Sequence, residues 1–181
     1  MNIKTKNMIL VSLFTALTAA GAFIKIPIGT VPVTLQFVFT ALAAILLGPR
    51  LGALSQIVYV ALGLIGIPVF TEGGGLGYIF KPSFGYLIGF IIGAYTIGYI
   101  VSKYKKPGVI KLMAACIAGT AVIYAVGVPY LYVVLKYVSG SNISPSKVLQ
   151  IGALIFLPGD LLKCFLTAVI GAKVIPVLKK M

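Results

Sequence analysis

Asp160 and Lys163 stand three residues apart behind Pro158-Gly159, and no other charge lies between Lys147 and Lys173. On a helix that spacing puts both side chains on one face. An ionisable group in an apolar run is costly and marks a task more often than an accident. The pair lowers the cost of burying either member, so one reading is a structural salt bridge that fixes its helix. The other is a polar site offering a carboxylate acceptor, an ammonium donor and the start of a helix. Such a site suits a small ligand with N–H donors and a carbonyl or carboxylate. The rarity of charge in this setting favours the second reading.

Enzyme chemistry is poorly supplied. The chain has no histidine and only two carboxylates, Glu72 and Asp160. That disfavours metal sites, catalytic triads and paired acid–base schemes, so neither a catalytic residue nor a cofactor is expected. A nucleotide-binding loop is also missing, so the chain cannot power transport itself. Two classes remain: a substrate-binding membrane subunit driven by partners, or a self-sufficient ion-coupled carrier of a small organic solute, using Asp160 or Glu72. The second calls for repeated halves, and no internal repeat is visible, which tilts the reading to the first.

The elements that must position these residues are membrane helices. Hydrophobic residues make up 60% of the 181 positions, charged residues 9%, and the mean hydropathy is +1.14. These values lie far outside the soluble range. Uncharged runs cover Met8–Ile24, Ile26–Pro49, Leu51–Thr71, Pro82–Ser102 and Leu112–Leu135, and a sixth long run, Val148–Leu178, carries Asp160, Lys163 and Lys173. At ~1.5 Å per residue each is long enough for a hydrocarbon core of roughly 30 Å. The expectation is an all-α integral membrane protein: six transmembrane helices in one compact domain over residues 1–181. The first run reads as an uncleaved span rather than a signal peptide, because five more follow.

A net charge of +13 would suggest nucleic acid in a soluble protein. Here the cations sit at helix ends, where they set orientation and meet anionic headgroups. Lys4, Lys6, Arg50, Lys103, Lys105, Lys106, Lys111, Lys179 and Lys180 fall on one side; Lys25, Lys81, Lys136 and Lys147 fall on the other, with Glu72. The positive-inside rule then places both termini in the cytoplasm. Cys116 and Cys164 fall inside spans and read as buried small hydrophobes, not a disulfide.

Several connections carry signals. Lys25–Pro32, with two prolines and a glycine, reads as an outer loop dipping towards the core. Gln36 follows at the outer end of the second span, either bonded to a neighbouring helix or facing a ligand. The loop Thr71–Pro82 holds Gly73, Gly74, Gly75 and Gly77, interleaved with Leu76, Tyr78 and Phe80. Alternating large apolar groups point to an ordered lid or pocket wall. Gly85, Gly89 and Gly93 at four-residue spacing suit close packing within the bundle. Ala16 and Ala20 make a similar stripe on the first helix, suited to an intermolecular contact. Tyr124, Tyr130 and Tyr132 read as headgroup anchors, and Ser144 or Ser146 as a helix cap.

With these residues in hand, the chain resembles the BioY family, the biotin-specific substrate-binding subunits of energy-coupling factor transporters. The resemblance rests on Ile28-Gly29-Thr30-Val31-Pro32-Val33-Thr34-Leu35-Gln36, Gly48-Pro49-Arg50-Leu51-Gly52, Leu62–Phe70, Gly85-Tyr86-Leu87-Ile88-Gly89-Phe90 and Leu157-Pro158-Gly159-Asp160-Leu161-Leu162-Lys163, in that order. It implies a six-helix protein of the prokaryotic cell membrane that holds biotin near the outer face under the first loop. Its partners would be a membrane scaffold subunit and two ATPases, with Ala16 and Ala20 on the docking surface; a homo-dimer is a further possibility. It implies that Asp160 and Lys163 contact biotin. Tyr78, Phe80 and Tyr86 are candidates for its walls, and Gln36 and the loop around Gly75 for amide contacts. The family's Gly-Pro-Thr-Gly-Gly-Tyr segment is replaced here by Lys81-Pro82-Ser83-Phe84-Gly85-Tyr86, so Lys81 and Phe84 alter the local geometry.

Overall fold

A computed structural model describes residues 3–26 and 31–178. Pro27–Thr30 of the first loop motif and the cations Lys179 and Lys180 lie outside the described residues.

The chain is helical almost throughout. α1 (Ile3–Phe23) leads into a short antiparallel ribbon, β1 (Lys25–Ile26) against β2 (Val33–Thr34), with Lys25 opposite Thr34. α2 (Gln36–Leu47) and α3 (Pro49–Leu64) follow, then a 3-10 helix at Leu76–Phe80 and α4 (Phe84–Ser102). α5 (Val109–Val133) runs on as a π-helical stretch to Val138. α6 (Pro145–Leu149), a second π-helical stretch (Gln150–Leu154) and α7 (Leu157–Leu178) form the last path.

Among the described residues, four helical segments are long and apolar enough to cross a membrane: Lys4–Phe23, Phe84–Ser102, Val109–Val138 and Pro145–Val177. The second and third apolar runs do not become full-length helices. At ~1.5 Å per residue, α2 and α3 rise only about 18 and 24 Å. The ribbon consumes the start of one run, and Ile65–Phe70 leaves the helix at the end of the other. Pro49 opens α3 at its first turn, where its missing N–H costs nothing, and Gly48 at φ 84° makes the reversal.

Side chains sort as a bundle in lipid requires. Tyr59, Phe70, Ile97, Leu112 and Leu131 are fully buried, while Leu54, Ile57, Ile117, Leu161, Phe165 and Leu166 face outward. The expected glycine stripe packs α4 against α5: a Cβ on Gly89 would lie 3.0 Å from the Ile123 backbone, and one on Gly93 3.2 Å from Gly119 O. Hydrogen bonds tie the first three helices together. Thr15 donates to Ser55 O at 2.9 Å, Thr40 to Gln56 at 3.0 Å, and Gln56 to Thr18 at 3.3 Å. In the membrane such bonds contribute about 0.6 kcal/mol each. Cys116 and Cys164 are buried free thiols, and Ser144 accepts from the Lys147 amide as a cap.

Candidate functional site

The proline-glycine step works as a helix start. Pro158 lies in the first turn of α7, so Asp160 and Lys163 project one after the other from its inward face. They form an ion pair, with side chains only 14% and 12% exposed, while Leu161 and Leu162 between them face outward. Tyr124, from α5, donates its hydroxyl to the second oxygen of Asp160. Lys163 Nζ also donates to Thr34 O at 3.2 Å, tying α7 to the ribbon.

These groups form one wall of a cavity of about 80 Å³. It lies at the end of the bundle where the ribbon and the glycine loop come together. α2 contributes Gln36 and Phe37, α4 contributes Tyr86, Leu87 and Phe90, and Val31–Thr34 close one side. Thr71, Tyr78 and Ser83 close the other. The glycine loop is therefore an ordered wall, and Lys25 Nζ bridges to it by donating to Thr71 O at 2.6 Å.

Each polar wall group is held. Gln36 lines the cavity, and its amide donates to Tyr59 at 2.7 Å and accepts from the Thr34 hydroxyl at 2.9 Å. Tyr59 in turn donates to Val69 O at 2.9 Å. Tyr78 shares hydrogen bonds with Thr71 at 2.9 Å and Ser83 at 3.2 Å, and its ring packs on Phe70. Tyr86 donates to Gly152 O at 2.7 Å and meets Tyr124 edge to face.

Five of the seven ligand-binding candidates thus share one cavity: Asp160, Lys163, Gln36, Tyr78 and Tyr86. Gly75 and Phe80 do not line it. Phe80 ends the 3-10 helix 64% exposed, and the Gly75 amide donates back to Gly63 O at 2.7 Å. The helical turn puts Tyr78 inward and its neighbours outward, so the apolar alternation of the loop is not an alternation into the pocket. The Lys81 and Phe84 departures also fall outside. Lys81 pairs with Glu72 at 3.1 Å on the surface, and Phe84 is buried against Tyr130.

Sequence reasoning missed Tyr124, Thr34, Thr71, Ser83, Phe90 and Phe156, which also line the cavity. Tyr124 was expected at a headgroup boundary, but it lies midway along Val109–Val138. That depth is the signal, since an interfacial anchor belongs near a helix end.

What the arrangement offers is recognition rather than catalysis. An ionised carboxylate only accepts, and each Asp160 oxygen keeps acceptor capacity beyond its present partner. Lys163 has three protons and two described acceptors, so one remains for a ligand carbonyl or carboxylate. Aromatic and aliphatic walls supply apolar area.

A model of the BioY family matches residues 1–180. The chain belongs to the BioY family. It is 43% identical over 175 residues to the probable biotin transporter BioY of Lysinibacillus sphaericus, covering 97% of this chain and 89% of that protein. The biotin transporter BioY of Thermotoga maritima is 38% identical over 169 residues, 93% of this chain and 95% of the relative. In three dimensions the fold is similar to the S-component for biotin from an ECF-type ABC transporter, with a TM-score of 0.74 and 30% identity. That likeness covers all of this chain and 95% of the other. BioY proteins are multi-pass membrane transporters and not enzymes, in keeping with the recognition chemistry of the site.

Proposed function

We propose that this chain binds biotin in the Asp160–Lys163 cavity and is the substrate-binding subunit of an energy-coupling factor transporter in a prokaryotic cell membrane. One observation carries the reading. The intramembrane ion pair faces a walled cavity instead of lipid, and a third polar group, Tyr124, is bonded to it. The ureido N–H groups of biotin would donate to Asp160, and Lys163 would donate to the ureido oxygen or the valerate carboxylate. Tyr78, Tyr86, Phe37 and Phe90 would pack on the rings and chain. Burial supplies affinity, and fixed polar partners reject analogues that leave them unpaired.

The rest of the molecule fits that role. The six apolar runs form a single unit of six spans, with α2 and α3 completed by the ribbon and by Ile65–Phe70. Both termini are cytoplasmic, by the loop charges, and the cavity opens outward. Ala16 and Ala20 are exposed on α1, as a contact with a membrane scaffold subunit needs, and ATP would be hydrolysed by two partner ATPases. The ion-coupled carrier is less well supported: Glu72 and Asp160 are both held in ion pairs.

The test is calorimetric titration of the purified protein with biotin, beside mass spectrometry of any co-purified ligand. Saturable one-to-one binding, lost in Asp160→Asn and Lys163→Ala while both variants stay folded and helical by circular dichroism, is expected. No binding, or unchanged affinity in both variants, would refute the site. Biotin uptake by liposomes holding this chain alone, driven by a proton or sodium gradient, would favour the carrier.

A further inference from the structure

A second recess opens at the other end of the bundle. The first cavity takes the start of α2, whereas this one takes its last residues, together with the end of α4, the turn after it and the far part of α7. It encloses about 410 Å³, with Leu46, Leu47, Val101, Tyr104, Pro107 and Ile175 among its walls. Its position follows from the shortness of α2, which stops at Leu47 while its neighbours run on.

The chain around the recess is rich in cations, although the Lys103 ammonium lies 4.4 Å from the centre of the Tyr99 ring, outside the lining. Lys103 and Lys106 are interleaved with the lining residues Ser102, Tyr104 and Pro107, and Arg50 follows Gly48 by two positions. Lys111 Nζ stands 4.4 Å from the centre of the Tyr104 ring. Neither acidic side chain of the protein is at this end: Asp160 lines the first cavity, and Glu72 pairs with Lys81 in the loop beside it. The positive field here is therefore not neutralised by any Asp or Glu.

We propose that this recess binds an anionic phospholipid, its phosphate against Lys103, Lys106, Lys111 and Arg50 and an acyl chain between α2, α4 and α7. An apolar floor in cation-rich surroundings, between helices of a membrane protein, matches an amphiphile with one charged end. A soluble phosphate would have no use for the floor.

The test uses the whole purified chain in neutral detergent and does not depend on biotin. Native mass spectrometry would compare retention of dioleoyl phosphatidylglycerol and dioleoyl phosphatidylcholine. One retained phosphatidylglycerol per chain is expected, at least tenfold preferred. Lys103→Gln and Lys111→Gln should each weaken it about fivefold, and Ser102→Trp should exclude it by filling the mouth, with melting temperature as the control for folding. If the tryptophan variant misfolds, the two charge variants decide. Equal retention of both lipids, indifference to the charge variants, or displacement by millimolar glycerol 3-phosphate would overturn the proposal. So would a photo-crosslinker at position 102 that captures a polypeptide in native membranes.

Discussion

Tyr124 on α5 donates its hydroxyl hydrogen to Asp160 on α7, so the carboxylate is gripped from both sides, by a neighbouring helix and by Lys163 of its own. The consequence is orientation. With both oxygens engaged, the carboxylate plane is fixed before any ligand arrives, and the remaining lone pairs have set directions. Preorganisation of this kind raises affinity by removing an ordering cost from the binding step.

Tyr124→Phe separates that role from bulk packing, because the ring stays and only the hydroxyl leaves. A hydrogen bond to a charged group contributes about 1.5–3 kcal/mol. The bond exists before biotin arrives, so its loss should lower the melting temperature, and the loss of preorganisation should lower biotin affinity roughly tenfold. Titration calorimetry of the variant beside the parent decides it, and an unchanged Kd would remove Tyr124 from the site.

Removing one member of the ion pair should cost more than removing both. Lys163→Met leaves Asp160 uncompensated at a half-buried position and also frees Thr34 O, so a loss of about 3 kcal/mol is expected. Asp160→Leu with Lys163→Met should recover most of that stability while binding stays abolished. Thermal unfolding in detergent measures the first quantity and biotin titration the second. A double variant that still binds would make the pair structural only.

Much of this was legible in the sequence because the lipid environment makes charge expensive. Asp160 and Lys163 stood out by rarity alone, and the long runs gave α1, α4, α5 and the Pro145–Leu178 path. The outer end of α2 was legible at Gln36, but its shortness was not, since hydropathy cannot tell an apolar ribbon such as Val33–Thr34 from the helix that follows. Phe80 and Gly75 were misplaced because a 3-10 turn, unlike a strand, sends only Tyr78 inward. Tyr124 was hidden by residue type: a tyrosine in a membrane helix fits both an interface and a pocket, and only its depth along α5 separates them.

Gly127 keeps Tyr86 at the cavity wall. A Cβ there would lie 2.5–2.8 Å from ring atoms of Tyr86, and the ring is held from the other side by its bond to Gly152 O. Gly127→Ala should therefore press the ring into the cavity, lowering stability by about 1–3 kcal/mol as overpacking does. Affinity should drop in parallel. Unfolding and titration on the same sample check both, and an unaffected Kd would show that Tyr86 does not shape the ligand space.

The exposed face of α1 should be separable from the site. Ala16 and Ala20 point outward, while Thr15 and Thr18 on the other face bond inward. Ala16→Leu with Ala20→Leu should leave biotin affinity within about twofold. Because small residues permit close backbone approach, the change should abolish co-purification with the proposed scaffold subunit. Retained assembly would move the docking surface elsewhere.

Lys25 sets how the site opens. It reaches from β1 to Thr71 O at 2.6 Å, while β2, paired with β1, supplies Val33 and Thr34 to the cavity. Thr71 belongs to the facing wall, so this ammonium straps the two walls together. Lys25 is not among the residues that line the cavity, so its loss should not change which ligand is chosen. Lys25→Met keeps the aliphatic stem and removes a charge-assisted bond of about 1.5–3 kcal/mol. Since the bond holds the closed form, its removal should speed escape more than entry. The expected outcome is a biotin dissociation rate roughly tenfold higher or more, with the association rate changed by less than about threefold. Stopped-flow chase with excess unlabelled biotin reads the first and concentration-dependent binding the second; a slower association with unchanged dissociation would mean that Lys25 steers biotin in and does not hold the mouth shut.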